Sequence, residues 1–275
     1  LLLTVNPAHL QGFGTVEDIA AAKGEIFDGL GEGDCAVINA DLPWAASWRE
    51  RAGAAAVIDF GLAEPAAITA RDVRAMGVKG VSFTALTPAG EMSVTLGLPG
   101  VHNVANALAT TAVGLACGLD LTQIKSGLEA VQPTAGRLAT ALSPAGSTVI
   151  DDCYNANPGS VRAAIAVLAS CEGRRTLVLG AMRELGPTSE ALHREIGEFA
   201  RDAGIERFWG VGPELRSAVE VFGNNACWFA DCDSAIDALA GEFDARDTVL
   251  VKGSRGARME RVLHALLAAA PVGEG

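Results

Sequence analysis

The stretch 147–180, STVIDDCYNANPGSVRAAIAVLASCEGRRTLVLG, decides the fold. A short strand-like run, STVID, ends in a polar loop; apolar residues then recur at helical spacing from about 158 to 171, and a second run, TLVLG, follows. The order repeats downstream, where strands near FWGVG, CWF and TVLVKG alternate with helices near 188–203, 213–221, 233–242 and 257–269. Alternation of this length predicts an α/β fold with an open, mainly parallel sheet and helices on both faces. Ligands of such sheets gather where strand C-terminal ends meet helix N-termini. Three strand-to-helix loops carry more polar chemistry than a turn requires: DDCYNANP (151–158), GAMRELGPTS (180–189) and KGSRG (252–256). They should lie on one rim of the sheet.

Upstream, Val16, Ile19, Ile26, Phe27 and Leu30 repeat at helical spacing, and Thr15 with Asp18 resembles a capping box, so one helix is expected from 15 to 30. The turn GLGEGD (29–34) leads to a strand, CAVIN (35–39); 54–58 and 78–83 also read as strands, and 104–117 as a helix. A junction falls in VQPTAGRL (131–138), where Pro133 and Gly136 interrupt helical sequence and divide 1–131 from 132–275.

The 275 residues fit two domains of about 150 each. Hydrophobic residues at 49% and charged residues at 20% exclude disordered and collagenous classes, and a net charge of −12 argues against nucleic acid as a general partner. Six cysteines without a CxxC pair read as reduced thiols in a cytoplasm. The uncharged stretch 96–119 is broken by Gly and Pro near its start, so no membrane span is expected. The opening LLLTVNPAH lacks a basic n-region and a cleavage site, and it begins with Leu inside strand-like sequence, as a piece of a longer protein would.

On a helical wheel Lys23 falls within the apolar stripe of the first helix, either as a stem that snorkels to water or as a partly desolvated amine able to react with carbon dioxide. His9 sits in a Pro- and Gly-punctuated loop suited to a metal or a phosphate, though a lone histidine is more often structural. Asn103 fits an N-cap, whereas Asn106, one turn in, has no such explanation. Arg137 and the carboxylates Asp151 and Asp152 could pair with one another or hold phosphate and ribose. Asn157 before Pro158 reads as N-cap plus first helical residue. Lys252, Ser254 and Arg255 crowd a helix N-terminus with cationic groups, which is unfavourable for the helix dipole unless an anion binds there. The sequence contains no Gly-Lys dipeptide, and therefore no GxxxxGK[ST] phosphate loop.

The strings PAHLQGFGT, AAKGEIF, VINAD, LPGVHNVANALA, GRL, VIDDCYNANP, LGAMRELG and LVKGSRGARME occur in order from Asn6 to Glu260. By these strings the chain closely resembles the Mur ligases. The resemblance implies residues 1–131 as the remainder of a central ATP-binding domain whose P-loop part is missing, and 132–275 as a Rossmann-like C-terminal ligand-binding domain. It also implies a cytoplasmic, monomeric, ATP- and Mg2+-dependent amide ligase of peptidoglycan precursor synthesis. DDCYNANP with KGSR is similar to the branch that joins D-Ala-D-Ala to a UDP-N-acetylmuramoyl-tripeptide through an acyl phosphate.

Position by position, Lys23 resembles the lysine that is carbamylated to help hold Mg2+, and His9 the histidine beside that metal, which makes these two the catalytic and metal candidates. Asn103 and Asn106 match the pair near adenine, Arg137 the arginine that reaches the nucleotide phosphates, and Asp152 the carboxylate near the ribose. Asn155, Asn157, Lys252, Ser254 and Arg255 match the face that binds the incoming dipeptide. The chain departs from the family pattern at Thr4, Asn6, Leu42, Val101 and Ala181, the last replacing an Asp in the loop that also carries Arg183 and Glu184. Without a phosphate loop, this chain alone is expected to be inactive. The alternatives are a non-catalytic nucleotide- or peptide-binding remnant and a related ligase such as a folylpolyglutamate synthase, whose motifs would not pair DDCYNANP with KGSR.

Overall fold

In the computed structural model, residues 1–5, 15–239 and 241–268 are described, and the chain divides into two units, Leu1–Gln132 and Pro133–Gly275.

The first unit begins with the capping box foreseen at Thr15 and Asp18, each bonding the other's backbone N–H at 3.1 Å, which starts helix α1 (Val16–Gly24). The helix expected to reach residue 30 stops at Gly24 and tightens into a 3-10 turn over Glu25–Phe27. A Cβ at Gly24 would lie 2.8 Å from the Trp48 ring, so the backbone comes against that ring where no side chain fits. Strands β1 (Cys35–Asn39) and β2 (Ala56–Phe60) pair in parallel, Leu2 bridges Ile38, and helix α2 (Ala45–Arg51) supplies Trp48 to a core with Ile19, Phe27 and Ile38.

A three-stranded antiparallel sheet follows, β3 (Thr69–Ala75), β4 (Val81–Thr87) and β5 (Gly90–Leu96), packed with helices α3 (His102–Ala116) and α4 (Leu121–Ala130) around Phe83, Val94, Leu108 and Ile124. The sequence reading did not single out β3 and β5. TARDVRA is half polar and mostly exposed, and GEMSVTL buries only alternate residues, so neither makes the continuous apolar run that marks a fully buried strand.

The second unit holds a six-stranded sheet in the order β10-β9-β8-β11-β7-β6. Its elements in chain order are β6 (Ala139–Leu142), β7 (Thr148–Asp152), α5 (Pro158–Ala169), β8 (Arg174–Gly180), α6 (Ser189–Asp202), β9 (Arg207–Val211), α7 (Arg216–Phe222), β10 (Ala226–Phe229), α8 (Cys232–Asp237), β11 (Asp247–Lys252) and α9 (Glu260–Ala268). All pairings are parallel except β6 with β7, an antiparallel edge that the sequence reading did not include. Strand periodicity sorts the core: Val149, Val178, Trp209, Val249 and Val251 pack with Ala235, Leu239, Val262 and Leu266 on one face. Helix α5 contacts β8 and β11. Residues Leu250 and Lys252, one step out of phase with Val249 and Val251, point to the opposite face from those valines. No helix among the described residues is long and apolar enough to cross a membrane.

Candidate functional site

Strands β8, β11 and β7 are neighbours and parallel, so the three polar loops that leave their C-terminal ends must share one edge of the sheet. Ser254, 5% exposed, fastens all three together. Its backbone N–H donates to the Ala181 carbonyl at 3.0 Å, its Oγ accepts the Arg183 N–H at 2.8 Å, and the same hydroxyl donates to the Ala156 carbonyl at 3.1 Å. A single buried hydroxyl thus satisfies groups from the loops after β7 and β8.

Lys252, at the end of β11, is 2% exposed, and its ammonium donates to Asp152 Oδ2 at 2.5 Å and to the Asn155 carbonyl at 2.9 Å. A buried ammonium survives only when paired in this way, and the pair fixes both Asp152 and the start of the Asn-rich loop. Asp151, next along β7, points elsewhere: its carboxylate accepts the Gly136 N–H at 2.7 Å and the Cys153 N–H at 3.1 Å. The simple pairing of Arg137 with these aspartates therefore gives way to two separate arrangements. Arg137 is exposed and lies over the Tyr154 ring, 4.3 Å from its centroid. Burial and the neighbouring Asp151 push the Cys153 thiol well above its ordinary range, so it stays an inert donor to the Val251 carbonyl.

Asn157 is the N-cap and Pro158 the first residue of α5; its side chain accepts the Ser160 N–H at 2.9 Å, as its position predicts. Asn155 is exposed and its Oδ1 accepts the Ala156 N–H. The KGSR segment differs from expectation. It opens a three-residue 3-10 turn, Arg255–Ala257, and the left-handed Arg258 (φ 55°) separates that turn from α9, so the cations do not crowd the start of a long helix.

His193, which carried no motif signal, anchors this rim from below. It is completely buried on α6; its Nδ1–H donates to the Ser189 carbonyl at 2.7 Å, and its Nε2 accepts the Met182 N–H at 2.9 Å. Those two bonds require the neutral ring, and burial lowers its pKa accordingly. The only hint in the sequence is its place one turn after Ser189 in a helix that starts at the loop's end.

In the first unit, Lys23 is exposed. The wheel that put it in an apolar stripe assumed an unbroken helix, and the 3-10 turn after Gly24 rotates Ile26 out to 57% exposure, which removes one side of that stripe. Val101, not Asn103, takes the N-cap place of α3; Asn103 lies in the first turn, where its amide donates to the Pro99 carbonyl at 2.7 Å and its Oδ1 accepts from the Asn106 amide at 2.9 Å. That leaves the Asn106 Oδ1 as an acceptor, a fit for an exocyclic amine such as that of adenine. Asn39 and Asp41 of VINAD are scaffold: Asn39 donates to the Leu3 carbonyl, and Asp41 accepts the N–H groups of Leu62, Ala63 and Glu64.

His9 lies outside the described residues. Among those described, no three His, Cys, Asp or Glu side chains gather as a metal site. None of the six cysteines is in a disulfide with another.

Comparison with known proteins matches residues 1–114 to the Mur ligase middle domain and residues 136–255 to the Mur ligase, glutamate ligase domain. The chain is 42% identical over 262 residues to the UDP-N-acetylmuramoyl-tripeptide--D-alanyl-D-alanine ligase of Escherichia coli (strain K12), covering 94% of this chain and 58% of the relative. It is 33% identical over 302 residues to the ligase of the same name from Mycobacterium tuberculosis (strain ATCC 25618 / H37Rv), covering 98% and 58%. A crystal structure of MurF from Acinetobacter baumannii superposes with a TM-score of 0.88 at 31% identity over 97% of this chain and 58% of that one. MurF ligase from Thermotoga maritima in complex with ADP gives a TM-score of 0.81 at 26% identity over 96% and 60%. The chain therefore spans less than two thirds of the proteins it matches.

Proposed function

Since the chain belongs to the Mur ligase family, we propose that it is part of an ATP-dependent ligase that joins D-Ala-D-Ala to a UDP-N-acetylmuramoyl-tripeptide during cytoplasmic peptidoglycan precursor synthesis. The observation that carries this reading is the Ser254 knot, which draws the DDCYNANP, GAMRELG and KGSR loops into one rim of the second unit. Relatives named for this reaction, at up to 42% identity, support the choice of substrates.

When bound, ATP supplies the phosphoryl group that converts the tripeptide carboxylate into an acyl phosphate. The neutral amine of D-Ala-D-Ala then attacks the carbonyl carbon; the C–N bond forms, the bond to phosphate breaks, and the amine proton is lost. Asn106 presents its Oδ1 to the adenine, steadied by Asn103. Arg137 and Asp152 serve the nucleotide phosphates and ribose, with Asp152 held in place by Lys252. Asn155, Asn157, Lys252 and Ser254 shape the rim, and Arg255, exposed beside them, takes the terminal carboxylate of the dipeptide through two parallel bonds. Assignment of Mg2+ to His9 and carbamylated Lys23 rests on resemblance alone, and none of these steps is routed through it. The 275-residue chain alone would be inactive, because its sequence has no phosphate loop to stabilise the transferring group.

The test uses the full-length protein with ATP, UDP-N-acetylmuramoyl-tripeptide and D-Ala-D-Ala. The expected result is a product whose mass is that of the two substrates less water, with one phosphate released per product. Phosphate release without that product would overturn the reading.

A further inference from the structure

In a chain of net charge −12, cations without a counter-ion stand out. Most basic side chains of the second unit have a carboxylate partner: Arg162 with Glu195, Arg174 with Asp247, Arg175 with Glu206, Arg207 with Glu242 and Arg261 with Asp233 are typical. Arg137 and Arg216 lie over the rings of Tyr154 and Trp228 instead. Among the described residues of this unit, three arginine side chains have neither kind of partner, Arg183, Arg255 and Arg258, and all three are exposed. They lie in the loops after β8 and β11, which Ser254 joins through the Ala181 carbonyl and the Arg183 N–H.

The placement is close as well as shared. The Arg183 side chain crosses Gly256: a Cβ added there would lie 3.0 Å from Arg183 Nε and 3.4 Å from its Cζ. Arg255 precedes that glycine, and Arg258 follows one 3-10 turn later, its N–H bonded to the Arg255 carbonyl at 3.3 Å. Three like charges held together by a rigid backbone are unfavourable until an anion joins them. A guanidinium presents paired donors that match the oxygens of a carboxylate or phosphate.

We propose that Arg183, Arg255 and Arg258 form one oxyanion-binding rim, in which the loops after β8 and β11 grip the same carboxylate or phosphate group. Arg183 is the specificity-determining member, because it alone comes from the β8 loop, the one in which Ala181 stands. That the oxyanion is the dipeptide's terminal carboxylate rests on the function proposed above; the rim itself does not.

The experiment is calorimetric titration of the full-length protein, with a non-hydrolysable ATP analogue and the UDP-tripeptide present, using three probes: D-Ala-D-Ala, its C-terminal amide and inorganic phosphate. Wild-type protein is expected to bind D-Ala-D-Ala at least tenfold more tightly than the amide. Arg183→Gln and Arg258→Gln should each weaken D-Ala-D-Ala about tenfold and leave the amide unaffected, with Arg183→Lys between, since lysine keeps the charge and loses the fork. Arg194→Gln, which removes the same charge from a paired surface arginine, should change nothing. Phosphate binding that weakens in the same variants, with no preference for dipeptide over amide, would assign the rim to a phosphate source. The proposal is overturned if no oxyanion probe binds, or if Arg183→Gln and Arg194→Gln behave alike. Failure of the ligase reading is seen separately, as absence of product from wild-type protein.

Discussion

Lys23 in the first unit stands exposed one residue before α1 ends, whereas Lys252 in the second is 2% exposed, with its ammonium spent on Asp152 and the Asn155 carbonyl. The first unit builds its interior from apolar contacts around Trp48, Phe27 and Phe83, and leaves its candidate lysine at the surface. The second drives a lysine, a serine and a histidine inward and uses them to tie loops together. A polar motif can therefore carry ligand-facing groups or the scaffold beneath them, and burial separates the two. KGSR divides within itself: Lys252 and Ser254 hold the rim, and Arg255 faces outward.

The contrast breaks most readily at the buried pair. Asp152→Asn leaves the Lys252 ammonium in the interior without its counter-charge, and should lower the stability of the second unit by about 3–5 kcal/mol. Chemical denaturation of the full-length protein followed by hydrogen exchange of β7 and β11 would show it, and an effect below about 1 kcal/mol would mean that water reaches the ammonium.

His193 comes next. His193→Ala orphans the buried Met182 N–H and should cost about 1–3 kcal/mol. The same residue gives the second unit an acid dependence. An unfolded histidine titrates near 6.5, while burial depresses the value in the folded chain. As pH falls below about 6.5, the unfolded state takes up a proton that the folded state does not, so stability declines with falling pH and is fully present above that range. His193→Gln should flatten that decline below about pH 6.5, measured as the denaturation midpoint against pH.

Lys23→Ala sharpens the comparison from the other side. An exposed lysine should change stability by less than about 0.5 kcal/mol. If the carbamate reading holds, the same substitution in the full-length enzyme removes most ligase activity, with partial recovery on adding short carboxylic acids. Loss of activity together with stability would place Lys23 in the scaffold instead.

Much of the second unit was legible because its strands are continuous apolar runs between glycines and prolines, so STVID, TLVLG and TVLVKG announced strands of a mainly parallel sheet. The common rim of three loops followed from that alternation alone. Strands β3, β5 and β6 escaped because they are short, polar or buried on one face only, and pattern alone does not distinguish them from loop. The close approach of Gly24 to Trp48, 24 residues away in sequence, is a contact that no local period encodes. The Asn103 misplacement was a shift of a few residues in a helix start. His193 was invisible for a different reason: a buried histidine bonded only to backbone leaves no partner residue to recognise. Arg183 and Arg258 became notable only once their neighbours were seen to be paired.

Steady-state kinetics of Arg255→Ala in the full-length enzyme tests the central claim most directly, namely that the knot of Lys252 and Ser254 exists to present an outward arginine to the incoming dipeptide. Loss of a charged hydrogen bond of roughly 1.5–3 kcal/mol predicts a KM for D-Ala-D-Ala raised about 10- to 150-fold, with the KM for ATP unchanged. An increase confined to ATP, or no change for either substrate, would contradict it.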